Sequence, residues 1–352
     1  MSYLIVGCGL SGVVIAERIA NVLNKKVTII EKRDHIGGNC YDYIEPTTNI
    51  LMNKYGAHLF HTNNERVWEY INKFDDWIRW DHKVLSYVDN KFVNIPVNIT
   101  TINELCNENL QNENEVNIWL DKNQVKYDSI NNSEEVAKSR IGSILYEKLI
   151  KDYTFKQWNK YPHELDKSVL ERIPIRSNFD TRYFSDKYQV LPHKGYTHFF
   201  HKILDNKNIQ VLLSTDYFEY SKTNKHDFVI FTGPIDSYFP NLEKLEYRSI
   251  DFDVKIIKNM NYFQPNSVVN YPNKDVPYTR IVEYKHFLNQ KSDGTIIVTE
   301  TTNDNKDEPY YPVPNKKNLD LYEKYRELAN KEANKNIFFI GRLANYKYFN
   351  MD

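Results

Sequence analysis

Cysteines are few, long apolar runs are missing and net charge is almost nil, and each of these absences removes a class of protein. The three cysteines, Cys8, Cys40 and Cys106, show neither a C-x-x-C spacing nor a paired histidine pattern. That excludes a disulfide framework and a thiolate zinc site, and it fits a reducing compartment. No apolar stretch reaches the roughly 18 residues of a membrane helix, and no basic segment with an apolar run precedes the first strand. The expectation is a soluble, cytoplasmic protein. The formal net charge is -1 over 352 residues, with both signs interspersed, so no nucleic-acid face is advertised and an anionic ligand must be met by a few placed arginines. There is no internal repeat; the Asn- and Glu-rich stretch 107–117 comes nearest to low complexity and reads as a solvated joint between helices.

A chain of this length exceeds what one core usually organises, so two or three domains are expected. Aromatic residues make up 14% of the chain, with 27 tyrosines, which suits stacking on flat rings or sugars and equally suits a biased coding composition. Residues 3–31 read as strand, glycine turn, apolar-faced helix over about 11–23, and a second strand over 26–30, a single βαβ unit. Between about 99 and 158 the apolar residues fall at helical spacing, with Ile141, Leu145 and Leu149 on one stripe and Ile144 beside it, which predicts a helical insertion. From about 251 to 301 short β-rich runs predict an antiparallel sheet, whereas 228–233 and 337–341 read as buried parallel strands that return to the first domain.

The expected architecture is therefore α/β: a discontinuous Rossmann-like FAD-binding domain (1–80, 188–245 and 318–352), a helical lobe (98–152), and an antiparallel β-sheet lobe (81–97, 153–187 and 246–317).

Gly7-Cys8-Gly9-Leu10-Ser11-Gly12 follows a strand and opens a helix, and Glu31 ends the next strand 19 positions after Gly12. In that context Gly7 permits the tight turn, Gly9 lets backbone amides approach a pyrophosphate, Gly12 allows close helix packing, and Glu31 accepts from ribose hydroxyls and repels an NADP 2′-phosphate. A second pair, Gly37-Gly38, followed by Asn39, resembles the FAD-binding domain of amine-oxidase-like flavoproteins more than that of NAD dehydrogenases. No second such fingerprint follows. FAD is the expected cofactor, with Gly7, Gly9, Leu10, Ser11, Gly12, Glu31, Lys32, Gly38 and Asn39 as its candidate contacts.

Further segments are Lys54-Tyr55-Gly56-Ala57-His58-Leu59-Phe60-His61-Thr62, Tyr153-Thr154-Phe155-Lys156-Gln157-Trp158, Arg172-Ile173-Pro174-Ile175-Arg176 and Tyr183-Phe184-Ser185-Asp186. After them come Val276-Pro277-Tyr278-Thr279-Arg280, Pro309-Tyr310-Tyr311-Pro312 and Gly341-Arg342-Leu343-Ala344. In order and over essentially the whole chain, these resemble the bacterial-type UDP-galactopyranose mutase family. The resemblance implies reversible ring contraction of UDP-galactopyranose to UDP-galactofuranose, an isomerase reaction in which N5 of the reduced flavin attacks the anomeric carbon.

It further implies that Arg172 and Arg280 clamp the diphosphate, with Arg172 in a mobile loop over 168–179, and that Tyr153 stacks on uracil and Asn270 contacts uridine. Trp158 lines the sugar cavity, and Tyr183, Tyr311 and Tyr348 donate to phosphate oxygens, the Tyr310-Tyr311 pair leaving that register open by one. His58 sits near N5 or the sugar, and His61 and Arg342 lie against the cofactor. From the residues alone, Tyr153 and Trp158 read more readily as core residues, a packed core histidine is the lesser reading of His61, and the spacing of His58 and His61 would suit a metal pair that no third ligand completes. The family's closing Tyr-Tyr-Asp-Met reads Tyr348-Phe349-Asn350-Met351 here, so the carboxylate is replaced by an amide, and family members run on past the position of Asp352 into a helix facing the flavin. The alternatives are an FAD-dependent oxidoreductase of amine-oxidase type and a catalytically impaired UDP-sugar binder. Expected partners are UDP-galactose in both ring forms, no nucleic acid and no membrane, with a homodimer as one option.

Overall fold

Strands that are apolar on both faces need cover on both sides, and the first domain supplies it. In the computed structural model, which describes residues 1–171, 174–304 and 308–352, five short strands form an all-parallel sheet in the order Ile209–Leu212, Val27–Ile30, Tyr3–Val6, Phe228–Phe231, Ile337–Phe339. The runs Leu-Ile-Val, Thr-Ile-Ile and Val-Ile-Phe have no polar face to give to water, as expected where helices cover both faces. The helix Leu10–Asn21 buries Val13, Ala16, Ile19 and Ala20. Together with Phe199, Phe200 and Ile203 of the helix Tyr196–Leu204, it packs on Ile5, Ile29 and Ile230. The edge strand Ile209–Leu212 was not expected from periodicity; it is too short to announce itself and is fixed by its parallel register with Val27–Ile30.

A second sheet has seven strands, in the order Tyr311–Pro312, Tyr247–Ile257, Thr295–Asn303, Arg280–Glu283, Val268–Asn270, Val84–Val88, Lys91–Ile95. The strands between 251 and 303 pair antiparallel as expected, and one pairing departs from that pattern: Val268–Asn270 runs parallel to Val84–Val88 (Val269 opposite Leu85). Those two strands are far apart in the chain, so no hairpin dictates their direction. One face is closed by Val268, Val282 and Val298 packed with Ile50, Met52 and Tyr284.

The insertion is helical over Ile99–Cys106, Glu113–Asn123 and Ser133–Leu145, and a π-helical turn, Tyr146–Lys151, leads into Asp152–Trp158. Each of the first three helices begins on an asparagine, Asn98, Asn112 or Asn132, whose side chain accepts from the third backbone amide of its helix. The Asn-rich joints are thus start signals. Ile141, Leu145 and Leu149 are buried, but Ile144 is 51% exposed, so it lies off the stripe. A break at Gly142 (φ 76°) turns the helix there and spoils a simple 3.6-residue projection. Helical structure also continues past 152, through Asp152–Trp158 and Ser168–Glu171, because Trp158, Leu165, Val169 and Leu170 share a core with Val136, Ala137 and Tyr146.

Asn98 is fully buried, makes a reciprocal cap with Thr101, and donates from its amide to Asp180 O at 3.3 Å. Replacing it with Ala removes a cap and leaves a carbonyl without its donor. The expected loss of about 2 kcal/mol should appear as a lower urea midpoint, with Asn98→Asp retaining most of the cap.

Candidate active site

Two glycine turns meet backbone to backbone at the carboxyl ends of the parallel strands. A Cβ on Gly12 would lie 2.0 Å from Gly7 O, and one on Gly38 would lie 3.0 Å from the Gly9 Cα. Gly37 N donates to Cys8 O at 3.0 Å, which locks the second turn onto the first. The helix Leu10–Asn21 starts directly after Gly9, and its leading amides carry the positive end of the helix dipole. Glu31 projects from the end of Val27–Ile30, and its carboxylate accepts from Cys8 N (2.8 Å) and Arg33 N (2.9 Å). Asn39 accepts from Arg33 Nη1 at 3.0 Å, and Lys32 is exposed. The turn at Gly341 closes the cradle from the other side, since a Cβ there would lie 3.0 Å from Ser11 Oγ. A bare-backbone hollow at a helix N-terminus, with a carboxylate at the neighbouring strand end, fits a dinucleotide.

Sheet register builds the second half of the site. Arg280 opens its strand opposite Asn270 on one side and Glu300 on the other. Its Nε donates to Glu300 Oε2 at 2.6 Å; Glu300 is 1% exposed and the Arg280 side chain 30%. Among the described residues, no acceptor meets the terminal guanidinium nitrogens of Arg280. Desolvation pulls the group down, but the Glu300 carboxylate, with Tyr153 and Tyr311 nearby, more than offsets it, so its pKa lies well above the ordinary value and the charge is permanent. Tyr153 Oη makes a long hydrogen bond, 3.4 Å, to Asn270 Oδ1. Burial raises the Tyr153 phenol above its usual range, and Tyr183 lies close enough to add to the rise.

Tyr311 faces this cluster while Tyr310 turns away onto Tyr55 and Phe252. Arg342 lies over the Tyr348 ring at 4.4 Å and the Tyr311 ring at 6.0 Å, and donates to Phe349 O at 2.7 Å. His58 joins the halves. Its Nδ1 lies 2.8 Å from Gly56 O. Burial lowers its pKa, and the charges of Arg342 and Arg280 take it further, to about 4 against the opposing pull of that carbonyl. The ring is therefore neutral, with Nδ1–H donating and Nε2 left as an acceptor.

His61 is held differently, with Nδ1 2.9 Å from Asp186 and its ring stacked on Phe184 at 3.7 Å. No group of three His, Cys, Asp or Glu that could hold a metal occurs among the described residues. Trp158 is 7% exposed within the helical core and reaches the site through its contact with Tyr311, 6.3 Å between ring centroids. Arg172 lies outside the described residues. Two residues with no role assigned from sequence belong to the cluster: Glu300, which only the strand register identifies, and Lys156, which sits unremarked inside the Tyr153–Trp158 motif.

The family model described as UDP-galactopyranose mutase matches residues 148–348, and one described as an NAD(P)-binding Rossmann-like domain matches 5–74. The probable UDP-galactopyranose mutase of Klebsiella pneumoniae is 38% identical over 99% of this chain and 90% of its own. The chain belongs to the UDP-galactopyranose mutase family. Within reach of the same family lies the dTDP-fucopyranose mutase of Escherichia coli, 36% identical over 99% of this chain and 94% of its own. The UDP-galactopyranose mutase of Mycoplasma genitalium is 35% identical over 99% and 91%. A crystal structure of reduced UDP-galactopyranose mutase superposes with a TM-score of 0.77 at 16% identity, covering 99% of this chain and 91% of that one. A putative protoporphyrinogen oxidase from Exiguobacterium shares the fold (TM-score 0.64, 12% identity, 98% and 96% covered). Among the described residues no helix is long and apolar enough to cross a membrane.

His58 and His82 are both depressed, His82 by burial and then by the Arg280 and His61 charges, to about 3. A histidine whose folded pKa is lowered contributes stability that is complete above its unfolded value of about 6.5 and is lost as pH falls through the folded one. Urea midpoints should therefore decline from pH 7 towards pH 4, and His82→Asn should flatten that decline.

Proposed function

We propose that this protein interconverts UDP-galactopyranose and UDP-galactofuranose with no net oxidation or reduction. The observation that carries the reading is the Arg280 guanidinium, fixed through Nε by buried Glu300, with no acceptor for its terminal nitrogens among the described residues, beside Tyr153, Asn270 and neutral His58. FAD fits the glycine cradle; when bound and reduced it supplies an electron-rich N5 as nucleophile toward the anomeric carbon. Gly7, Gly9, Leu10, Ser11 and Gly12, with Arg342, would take its pyrophosphate, Glu31 and Lys32 its adenosine side, and Gly38, Asn39 and His61 the rest of its length.

The chain's own residues then have separable tasks. Arg280, and Arg172 by family resemblance, neutralise a diphosphate, whose departure leaves negative charge that a preorganised guanidinium stabilises. Tyr183, Tyr311 and Tyr348 carry phenols that suit phosphate oxygens, and burial keeps the Tyr311 proton in place. Tyr153 offers a ring face and Asn270 an amide to the base. Trp158 backs Tyr311 and helps keep water from the sugar. His58 Nε2 can accept a hydrogen bond from a hydroxyl at neutral pH without bringing a further charge to the flavin. A homodimer located in the cytoplasm belongs to the same reading.

A second substrate has a specific observation behind it: the E. coli dTDP-fucopyranose mutase is nearly as similar as the Klebsiella protein, so overall likeness does not separate the two nucleotide sugars. The amine-oxidase alternative has only shared fold in its favour. With dithionite-reduced, FAD-loaded protein, chromatography should show UDP-galactopyranose forming from UDP-galactofuranose, faster than the corresponding conversion of dTDP-fucofuranose. No turnover with flavin bound would leave the impaired-binder reading, and oxygen consumption on a substrate would favour the oxidase. Arg280→Ala should cut kcat by about 10²–10³; a rate within fivefold of the parent would mean the diphosphate lies elsewhere.

A further inference from the structure

The turn joining Val268–Asn270 to Arg280–Glu283 is closed at its neck by a hydrogen bond from Tyr271 N to Thr279 O (2.9 Å). Beyond the neck its own backbone contributes little, chiefly Val276 N to Asn273 O at 3.2 Å. Its inward carbonyls converge instead on one ammonium. Lys156 Nζ donates to Asn273 O (2.9 Å), Val276 O (3.0 Å) and Tyr278 O (2.9 Å), and contacts Tyr271 O. An ammonium has three donors, so four acceptors leave none of them for solvent or for an anion. The helix that bears Lys156 is anchored in turn. Arg248 donates to the carbonyls of Lys156 (3.3 Å) and Gln157 (3.0 Å), and Thr302 Oγ1 donates to Lys156 O.

These contacts place Lys156 between the two halves of the nucleotide site. One turn before it on the same helix is Tyr153; on either side of the caged turn stand Asn270 and Arg280, opposite each other across the ladder. Among the described residues, Tyr153 itself meets the Asn270–Arg280 rung through one long hydrogen bond, to Asn270 Oδ1, too weak to set a spacing by itself. We propose that Lys156 is a positioning residue for nucleotide binding, which by caging the 271–279 turn fixes the distance from Tyr153 to the Asn270–Arg280 pair. This rests on the reading that Tyr153 and Asn270 take the base. Lys156 touches neither substrate nor reacting atoms, so its loss should act on binding and leave the chemical step in place.

The test uses FAD-loaded, dithionite-reduced protein, with UDP affinity from calorimetry and turnover from UDP-galactofuranose. Lys156→Met keeps the aliphatic stem and removes the donors. It should weaken UDP and raise KM by about tenfold while kcat stays within threefold. Asn270→Ala should also weaken UDP, and the double variant should be little worse than the poorer single one, because the two residues act through one geometry. If Asn270→Ala weakens UDP and Lys156→Met binds within twofold of the parent, the Lys156 role is wrong and the base site stands. If Asn270→Ala is itself without effect, the base site is misplaced and the Lys156 role falls with it. Losses that multiply in the double variant, or a fall in kcat matching the rise in KM, would mark Lys156 as a structural prop and overturn the proposal. Should Lys156→Met not accumulate as folded protein, Lys156→Gln keeps two N–H donors; it should weaken UDP by a smaller factor, about threefold, and is judged by the same outcomes.

Discussion

A guanidinium that must meet a diphosphate needs to be fixed in place without spending its outward hydrogen-bond donors. The Arg280–Glu300 pair meets that requirement through cross-strand register: the two residues face each other on adjacent strands, and a single Nε contact aims the fork. Glu300 is buried and its Oε1 has no hydrogen-bond partner among the described residues. A buried ion pair of that kind is a poor source of stability, since desolvation consumes most of its Coulomb energy. Its location makes sense as an orientation device. The surroundings follow from it: Tyr153 and Tyr311 must remain protonated beside a fixed cation, and His58 must remain neutral.

Much of the fold was legible because its signals are local. The glycine turn, the strand ahead of it and Glu31 lie within one βαβ unit, and the late apolar runs Phe228–Phe231 and Ile337–Phe339 both join its parallel sheet; the first is buried as expected, whereas Ile337–Phe339 is the edge strand and Phe338 is exposed. What escaped was set by partners distant in sequence. The edge strand Ile209–Leu212 and the parallel run of Val268–Asn270 beside Val84–Val88 have no hairpin to betray them. The turn at Gly142, which leaves Ile144 exposed beside the stripe, likewise cannot be read from spacing.

The site divides in the same way. Family motifs drew attention to Arg280, Tyr153, Asn270, Tyr311 and Arg342, and the fold gathers them around His58. Glu300 had no motif to mark it, for a glutamate in a β-strand is ordinarily a solvated one and only the ladder opposite Arg280 gives it a task. Lys156 was hidden by the opposite circumstance: it stood in a motif whose aromatic ends drew the attention, and a lysine there reads as a surface charge until its ammonium is found ringed by carbonyls.

The central parallel sheet draws its strands from residues 3 to 339, and the turn at Gly341 reaches Ser11 of the first glycine loop. During synthesis the first loop therefore leaves the ribosome more than three hundred residues before the segment that encloses it. A nascent chain can form the early strands and still present an open hollow, so firm capture of a dinucleotide has to await the segment around Gly341. Cofactor retention then reports whether that turn is in place: a fragment cut anywhere upstream of it would lack one wall of the hollow and hold its ligand loosely.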